Sequence, residues 1–275
     1  MPTLEEKTIT SFSDYSLFIE SLITSTKRAF WYRGVDSDAH PLLPRLYRNP
    51  PVPTEKGIEN LMELEAEMAD WFKERSIPFC ARELGTDWDT LFFMQHFGMP
   101  TRLLDWTENP IMALYFALAS VKSFKRDEEK PKNMVVWVLE PRLWNKTATY
   151  GVGKYEKILF MSDRYGVLEH HKLGKVPAAG ELMPLAIYGA YNSSRIVAQR
   201  GVFIIFGSRA TPMEQYFQEP KHKFDSKSMI KILIPFKNAN EIFETLLSFG
   251  ITESTVFPDL DQLAKEGCRL FGFGK

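Results

Sequence analysis

The sequence predicts an α+β fold, and three observations carry that reading. Short apolar runs rich in β-branched residues, at 134–139, 201–207 and 229–235, have the length and composition of buried strands. Other stretches place apolar residues at i, i+3, i+4 and i+7, the period of helices that face a core. The two kinds of segment are interspersed without a regular β-α-β-α alternation, which argues against a doubly wound sheet.

A first helix is predicted over 13–27, where Tyr15, Phe18, Ile19, Leu22 and Ile23 keep helical spacing and Ser13 or Asp14 serves as cap. A strand follows at 30–34, Phe-Trp-Tyr-Arg-Gly, before Asp36-Ser37-Asp38 turn the chain. Residues 41–48 form a Pro-bounded loop with Arg45 and Arg48, and 49–53 a stiff proline-rich linker. Thr54 or Glu55 opens a long helix to about 79, with Ile58, Leu61, Leu64, Met68 and Phe72 in register.

Another helix, 87–97, leads to a turn punctuated by Gly98 and Pro100. Residues 101–106 read as a buried strand that keeps polar side chains. Thr107 or Asn109 caps the next helix, and Pro110 suits its first turn, where a missing N–H costs nothing. Ile111, Leu114, Tyr115 and Leu118 form its core face. Residues 122–133 are a charged surface loop, and a less regular insertion occupies about 144–180. A strand at 185–188, a turn or short helix at 192–199, an amphipathic helix at 238–249 and a closing helix at 259–267, stopped by Gly267, complete the chain. Because the motifs lie on both sides of the 49–53 linker, one domain is expected over 1–275.

Composition narrows the function. The 275 residues are 44% hydrophobic, 25% charged and 13% aromatic with a net charge of −1, so no global attraction to nucleic acid or anionic membrane follows. Cys80 and Cys268 make no disulfide framework, and Cys/His spacing for zinc is missing. His170 and His171 are adjacent, so their rings point apart on a regular element, and no metal is expected. Residues 1–10 are acidic and polar, unlike a signal peptide, and no apolar run approaches a membrane span; a cytoplasmic protein is expected. Phosphate-binding glycine loops and the G-x-S-x-G elbow are absent, and neither cysteine has an activating context.

The chemistry concentrates in 95–119. Thr101, Arg102, Asp105, Trp106 and Thr107 sit between Phe92-Phe93 and Tyr115-Phe116. Either Arg102 and Asp105 satisfy each other as an internal ion pair, or this strand floors a ligand cleft. Together with Phe30-Trp31-Tyr32-Arg33-Gly34, the run His96-x-Gly98-x-Pro100-Thr101-x-Leu103-Leu104-Asp105-Trp106-Thr107-x-Asn109-Pro110-x-x-Ala113-Leu114 resembles the FRG domain family. The likeness continues through Arg195-x-x-x-Gln199-x-Gly201-x-Phe203 to Phe257-Pro258-Asp259-Leu260.

The order of these motifs looks like that of ADP-ribosyltransferases, and the resemblance implies a mixed β core with surrounding helices. It further implies that Arg33, with Gly34 and Arg45, holds the phosphate or ribose of NAD as substrate. Thr101 and Thr107 would orient the nicotinamide, Tyr115 and Phe116 would stack nearby, and His96 and Asp105 would be polar walls. Gln199 takes the position where such enzymes carry a catalytic Glu or Gln; being neutral, it leaves the carboxylate's work to Asp105, or to Glu214 if its loop folds over the cleft. Trp106 reads as core. The resemblance places the chain among toxins of toxin-antitoxin or phage-defence systems, with an RNA (favoured), DNA or protein acceptor and an antitoxin or chaperone partner. Lys221, His222, Lys223, Lys227 and Lys231 form a modest basic stretch, either a nucleic-acid contact or a solvated face. The other class left open is a non-catalytic nucleotide- or nucleic-acid-binding module. A nuclease is disfavoured for want of an acidic metal cluster.

Overall fold

A computed structural model describes residues 2–48, 50–51, 58–80, 84–124, 130–153, 155–162, 166–175, 182–190 and 194–273. Its centre is one mixed eight-stranded sheet, ordered β1-β8-β4-β2-β3-β7-β6-β5. The strands are β1 Glu5–Thr8, β2 Trp31–Val35, β3 Leu103–Thr107, β4 Asn133–Leu139, β5 Leu159–Phe160, β6 Leu185–Tyr188, β7 Gly201–Ile205 and β8 Met229–Pro235. The two outermost pairings, β1 with β8 and β5 with β6, are parallel; all others are antiparallel. The fold is α+β, as the interspersed pattern predicts.

Successive strand residues point to opposite faces, and this alternation builds separate cores. Trp31, Leu104, Trp106, Val135, Trp137, Val202 and Ile204 pack on one face with α2 (Glu59–Ser76), Trp144 of α5 (Pro141–Ala148) and α7 (Met213–Gln218). On the other, Tyr32, Val136, Val138, Ile230 and Ile232 meet α1 (Phe12–Thr26), α4 (Pro110–Leu118) and α8 (Phe236–Ser248). A third cluster joins Leu103, Leu185, Ile187, Phe203 and Ile205 to α3 (Asp87–His96) and to Ile196 of α6 (Ser194–Gln199). Trp106 is core, as read.

Several local expectations shift. Ser11, not Ser13 or Asp14, caps α1, accepting from the Asp14 amide at 3.0 Å. Asn109 caps α4, with Pro110 as its first residue. Gly267 does not stop the last helix. α10 runs Leu260–Leu270, the Gly267 carbonyl accepts from the Phe271 amide, and Gly272 (φ 80°) takes the left-handed position. The 144–180 region begins inside α5, whose Glu140 cap accepts from the amides of Arg142 and Leu143. β1, α7 and α9 (Glu253–Val256) were not expected. The start of the long helix at Thr54 or Glu55 and part of the 49–53 linker lie outside the described residues.

The internal ion pair also has different partners. Arg102 pairs with Glu65 of α2 rather than with Asp105, and its main-chain amide donates to the same carboxylate at 2.9 Å. Both residues are essentially unexposed. One carboxylate thus holds α2 against the residue that leads into β3.

Candidate functional site

The sheet is continuous except at its centre. β2 matches β4 along its whole length, and β3 matches β7 likewise. Between β2 and β3 the one registered pair is Tyr32 opposite Thr107. Beyond that pair the strands part, and a cleft of about 430 Å³ opens, within the range of small-molecule sites. Arg33, Gly34 and Val35 line it from β2, and Asp105, Trp106 and Thr107 from β3.

Arg33 spans the opening. Its Nη1 donates to the Asp105 carbonyl in place of a ladder bond, while its buried Nε has no hydrogen-bond partner among the described residues. Burial pulls the guanidinium down to about 10, partly offset by Asp105, so it stays charged at neutral pH. Gly34 lines the cleft on one side, but its missing side chain is required on the other. A Cβ there would lie 1.9 Å from the Ala113 carbonyl and 2.5 Å from the Ala117 amide, because α4 packs its backbone directly on β2.

Asp105 is the exposed residue in an otherwise buried strand. Its Oδ2 accepts from Gln95 Nε2 at 2.6 Å, and Arg33, Arg195 and His96 all lie within its field. His96 lines the cleft, and burial together with Arg195 holds its imidazole below the usual histidine range. Thr107 Oγ1 donates to the Gln199 carbonyl at 2.6 Å and accepts from the Asn109 amide at 2.9 Å, tying the end of β3 to α6. Gln199 lines the cleft, yet its Nε2 donates to the Val256 carbonyl at 3.0 Å.

Three expected site residues do not line the cleft. Thr101 is fully buried and donates to Gln95 Oε1. Tyr115 is packed among apolar side chains against Phe116 and Phe243, and burial raises its hydroxyl to about 12. Arg45 donates to the Gly98 carbonyl at 2.7 Å and pins the turn that precedes β3. Glu214 is likewise elsewhere, accepting from the Leu42 amide at 3.2 Å. Phe116, expected near Tyr115, does line the cleft.

Other lining residues were not singled out from sequence as site residues. Arg48 comes from the 41–48 loop, its Nε held by the Leu43 carbonyl at 2.7 Å. Arg195 opens the Arg195-x-x-x-Gln199 motif, and its guanidinium sits 4.6 Å from the Phe257 ring, so both late motifs meet here. Gln95 directly precedes His96. The cleft therefore gathers Arg33, Arg48 and Arg195 against Asp105 and Asp36, and Asp36 is occupied by His40 at 2.8 Å. Phe92, Phe203, Phe116 and Tyr32 supply apolar wall. Such a site suits an anionic ligand with a flat apolar portion.

The basic stretch is elsewhere and partly neutralised. Lys221 and His222 both engage Glu219, at 3.1 and 3.0 Å, and Lys231 lies 3.8 Å from Glu6. Among the described residues no group of three or more His, Cys, Asp and Glu is placed to hold a metal, and no helix is long and apolar enough to cross a membrane.

Compared with known families, residues 28–126 match the FRG domain. The match spans β2 through α4 and includes Arg33 and Asp105, while Arg195 and Gln199 lie beyond it. No curated protein and no solved structure matches.

Proposed function

Over residues 28–126 this chain belongs to the FRG domain family, and we propose that its cleft binds NAD and transfers ADP-ribose, as in toxin-like ADP-ribosyltransferases. One observation carries the reading. The three strands that bear Arg33, Asp105 with Thr107, and the approach from Gln199 lie side by side as β2-β3-β7, and the sheet opens between the first two.

In this reading Arg33, Arg48 and Arg195 hold the pyrophosphate, where planar guanidinium groups give paired contacts to phosphate oxygens. The aromatic wall receives a ring of the ligand. The bond from ribose C1′ to the nicotinamide nitrogen breaks, both electrons leave with neutral nicotinamide, and positive charge develops on the ribose. Asp105, the carboxylate between the arginines, stabilises that charge. An acceptor nucleophile then bonds to C1′ and loses its proton; RNA is the favoured acceptor class, DNA or protein the others. A bacterial toxin-antitoxin or phage-defence role, with a neutralising partner, fits that chemistry.

A second reading is favoured by Gln199. It is neutral, and its amide is committed to the Val256 carbonyl. A module that binds a nucleotide without cleaving it needs the arginines and no catalytic acid.

The test is incubation of purified protein with radiolabelled NAD and, separately, RNA, DNA and cell lysate. Transfer of label to one fraction, lost in Arg33→Ala with little change in unfolding midpoint, is the expected result. Absence of both label transfer and nicotinamide release from a folded protein that still binds ADP-ribose would overturn it in favour of the second reading.

A further inference from the structure

We propose that Gln95 is a positioning residue for Asp105, oriented in turn by Thr101, so that one carboxylate oxygen is anchored and the other is presented to the cleft. The proposal rests on the enzyme reading only for what the presented oxygen does.

The argument is an accounting of donors and acceptors. An ionised carboxylate only accepts, so the amide nitrogen of Gln95 must face Asp105 Oδ2, as it does at 2.6 Å. The Gln95 carbonyl oxygen is then turned to Thr101, whose hydroxyl has one proton to give. The Thr101 oxygen also accepts from the Leu103 amide at 3.1 Å, so one of its two lone pairs is engaged by the strand itself. Every group has one consistent role. Rotating the amide by half a turn would set its oxygen against the carboxylate. A buried hydroxyl (Thr101 is unexposed) thereby dictates how a half-buried amide meets an exposed acid.

The frame is stiff at each end. Gln95 sits in the last turn of α3, closed by the Phe97 amide to the Phe93 carbonyl at 3.0 Å and the Met99 amide to the Met94 carbonyl at 2.9 Å. Thr101 lies just before β3, and Asp105 within it. Among the described residues Asp105 Oδ1 accepts no hydrogen bond, which leaves it as the oxygen for a ligand. A charge held in one orientation before the ligand arrives needs no reorganisation during reaction.

The test reads the Gln95 side-chain amide by nuclear magnetic resonance, assigned from its disappearance in Gln95→Leu. Thr101→Val and Asp105→Ala should each displace this signal and speed its solvent exchange at least about threefold, while Thr101→Ser, which keeps the hydroxyl, leaves it in place. In nicotinamide release, Gln95→Leu and Thr101→Val should lower kcat by about 10- to 100-fold with KM for NAD nearly constant, and Thr101→Ser should restore it. An amide signal indifferent to Thr101→Val and Asp105→Ala overturns the relay whatever the activity. A wild-type kcat in Gln95→Leu overturns it and leaves the enzyme reading standing. A responsive amide in a protein that turns over no NAD upholds the relay and removes the enzyme reading instead.

Discussion

Replacing Gly34 with alanine tests why the aromatic-Arg-Gly motif ends in glycine. Ordinary van der Waals contact begins near 3.4 Å, and the new methyl would stand 1.9 Å from the Ala113 carbonyl, so α4 would have to retreat by about 1.5 Å (3.4 − 1.9). It has little room to do so. Ala113, Leu114, Ala117 and Leu118 are unexposed, and Tyr15 donates to the Pro110 carbonyl at 2.7 Å, fixing the helix start. The obstructing atoms are backbone and cannot swing aside, which puts the cost at the upper end of overpacking, about 3 kcal/mol. Stiffening of the unfolded chain returns about 0.4–1 kcal/mol, leaving a net loss of about 2–3 kcal/mol. At about 2–4 °C per kcal/mol for a chain of this size, the midpoint should fall by about 4–12 °C. Thermal and urea unfolding followed by circular dichroism measure it. An unchanged or raised midpoint would refute the backbone-on-backbone packing and return Gly34 to a role on the ligand side alone.

Glu65→Ala strands the Arg102 guanidinium without its partner and should cost about 3–5 kcal/mol in urea unfolding, whereas Glu65→Leu combined with Arg102→Met should recover most of the loss. His171 is buried beside Arg102; burial first, then that charge, push its imidazole down to about 4. An unfolded histidine binds its proton near 6.5, so the folded state takes up fewer protons in between. Stability is full above pH 6.5 and falls by about 3 kcal/mol as pH drops to about 4. His171→Leu should flatten that slope in unfolding curves taken across the window. Ser11→Ala removes the cap of α1 and should cost about 1 kcal/mol by the same measurement.

What sequence could reveal was governed by whether the signal was local. The run at 229–235 and the Leu-Ala-Ile-Tyr of 185–188 are strands with the bounds expected, because β-branched and aromatic residues declare a buried strand without reference to anything distant. The Asn109-Pro110 start of α4 was equally local. β1 was invisible: Glu-Glu-Lys-Thr is exposed throughout and earns its place by main-chain pairing with β8 alone. Arg102 could be read as needing an acid, but the acid is Glu65, 37 positions away, and the nearer Asp105 was the natural guess. In the cleft, Arg33, Asp105, His96, Thr107 and Gln199 were legible as polar residues set in apolar runs. Arg48 and Gln95 were not, because only the parting of β2 from β3 turns them toward one space. Thr101 belongs to the motif and Arg45 to the 41–48 loop, yet Thr101 donates to the Gln95 side chain and Arg45 to the Gly98 carbonyl rather than facing the cleft, a distinction that no spacing encodes.

The pairing of the first strand with the last has a consequence for biosynthesis. β1 ends at Thr8, but its partner β8 ends only at Pro235. At ribosomal speeds of about 5–20 residues per second, β1 waits roughly 10–45 s for the strand it joins. β7, which carries Phe203 opposite Asp105, leaves the ribosome after both β2 and β3. The nascent chain therefore carries Arg33 and Asp105 long before the strand from Gly201 can close their side of the cleft. Whatever this site does, it is not assembled until β7 has been made.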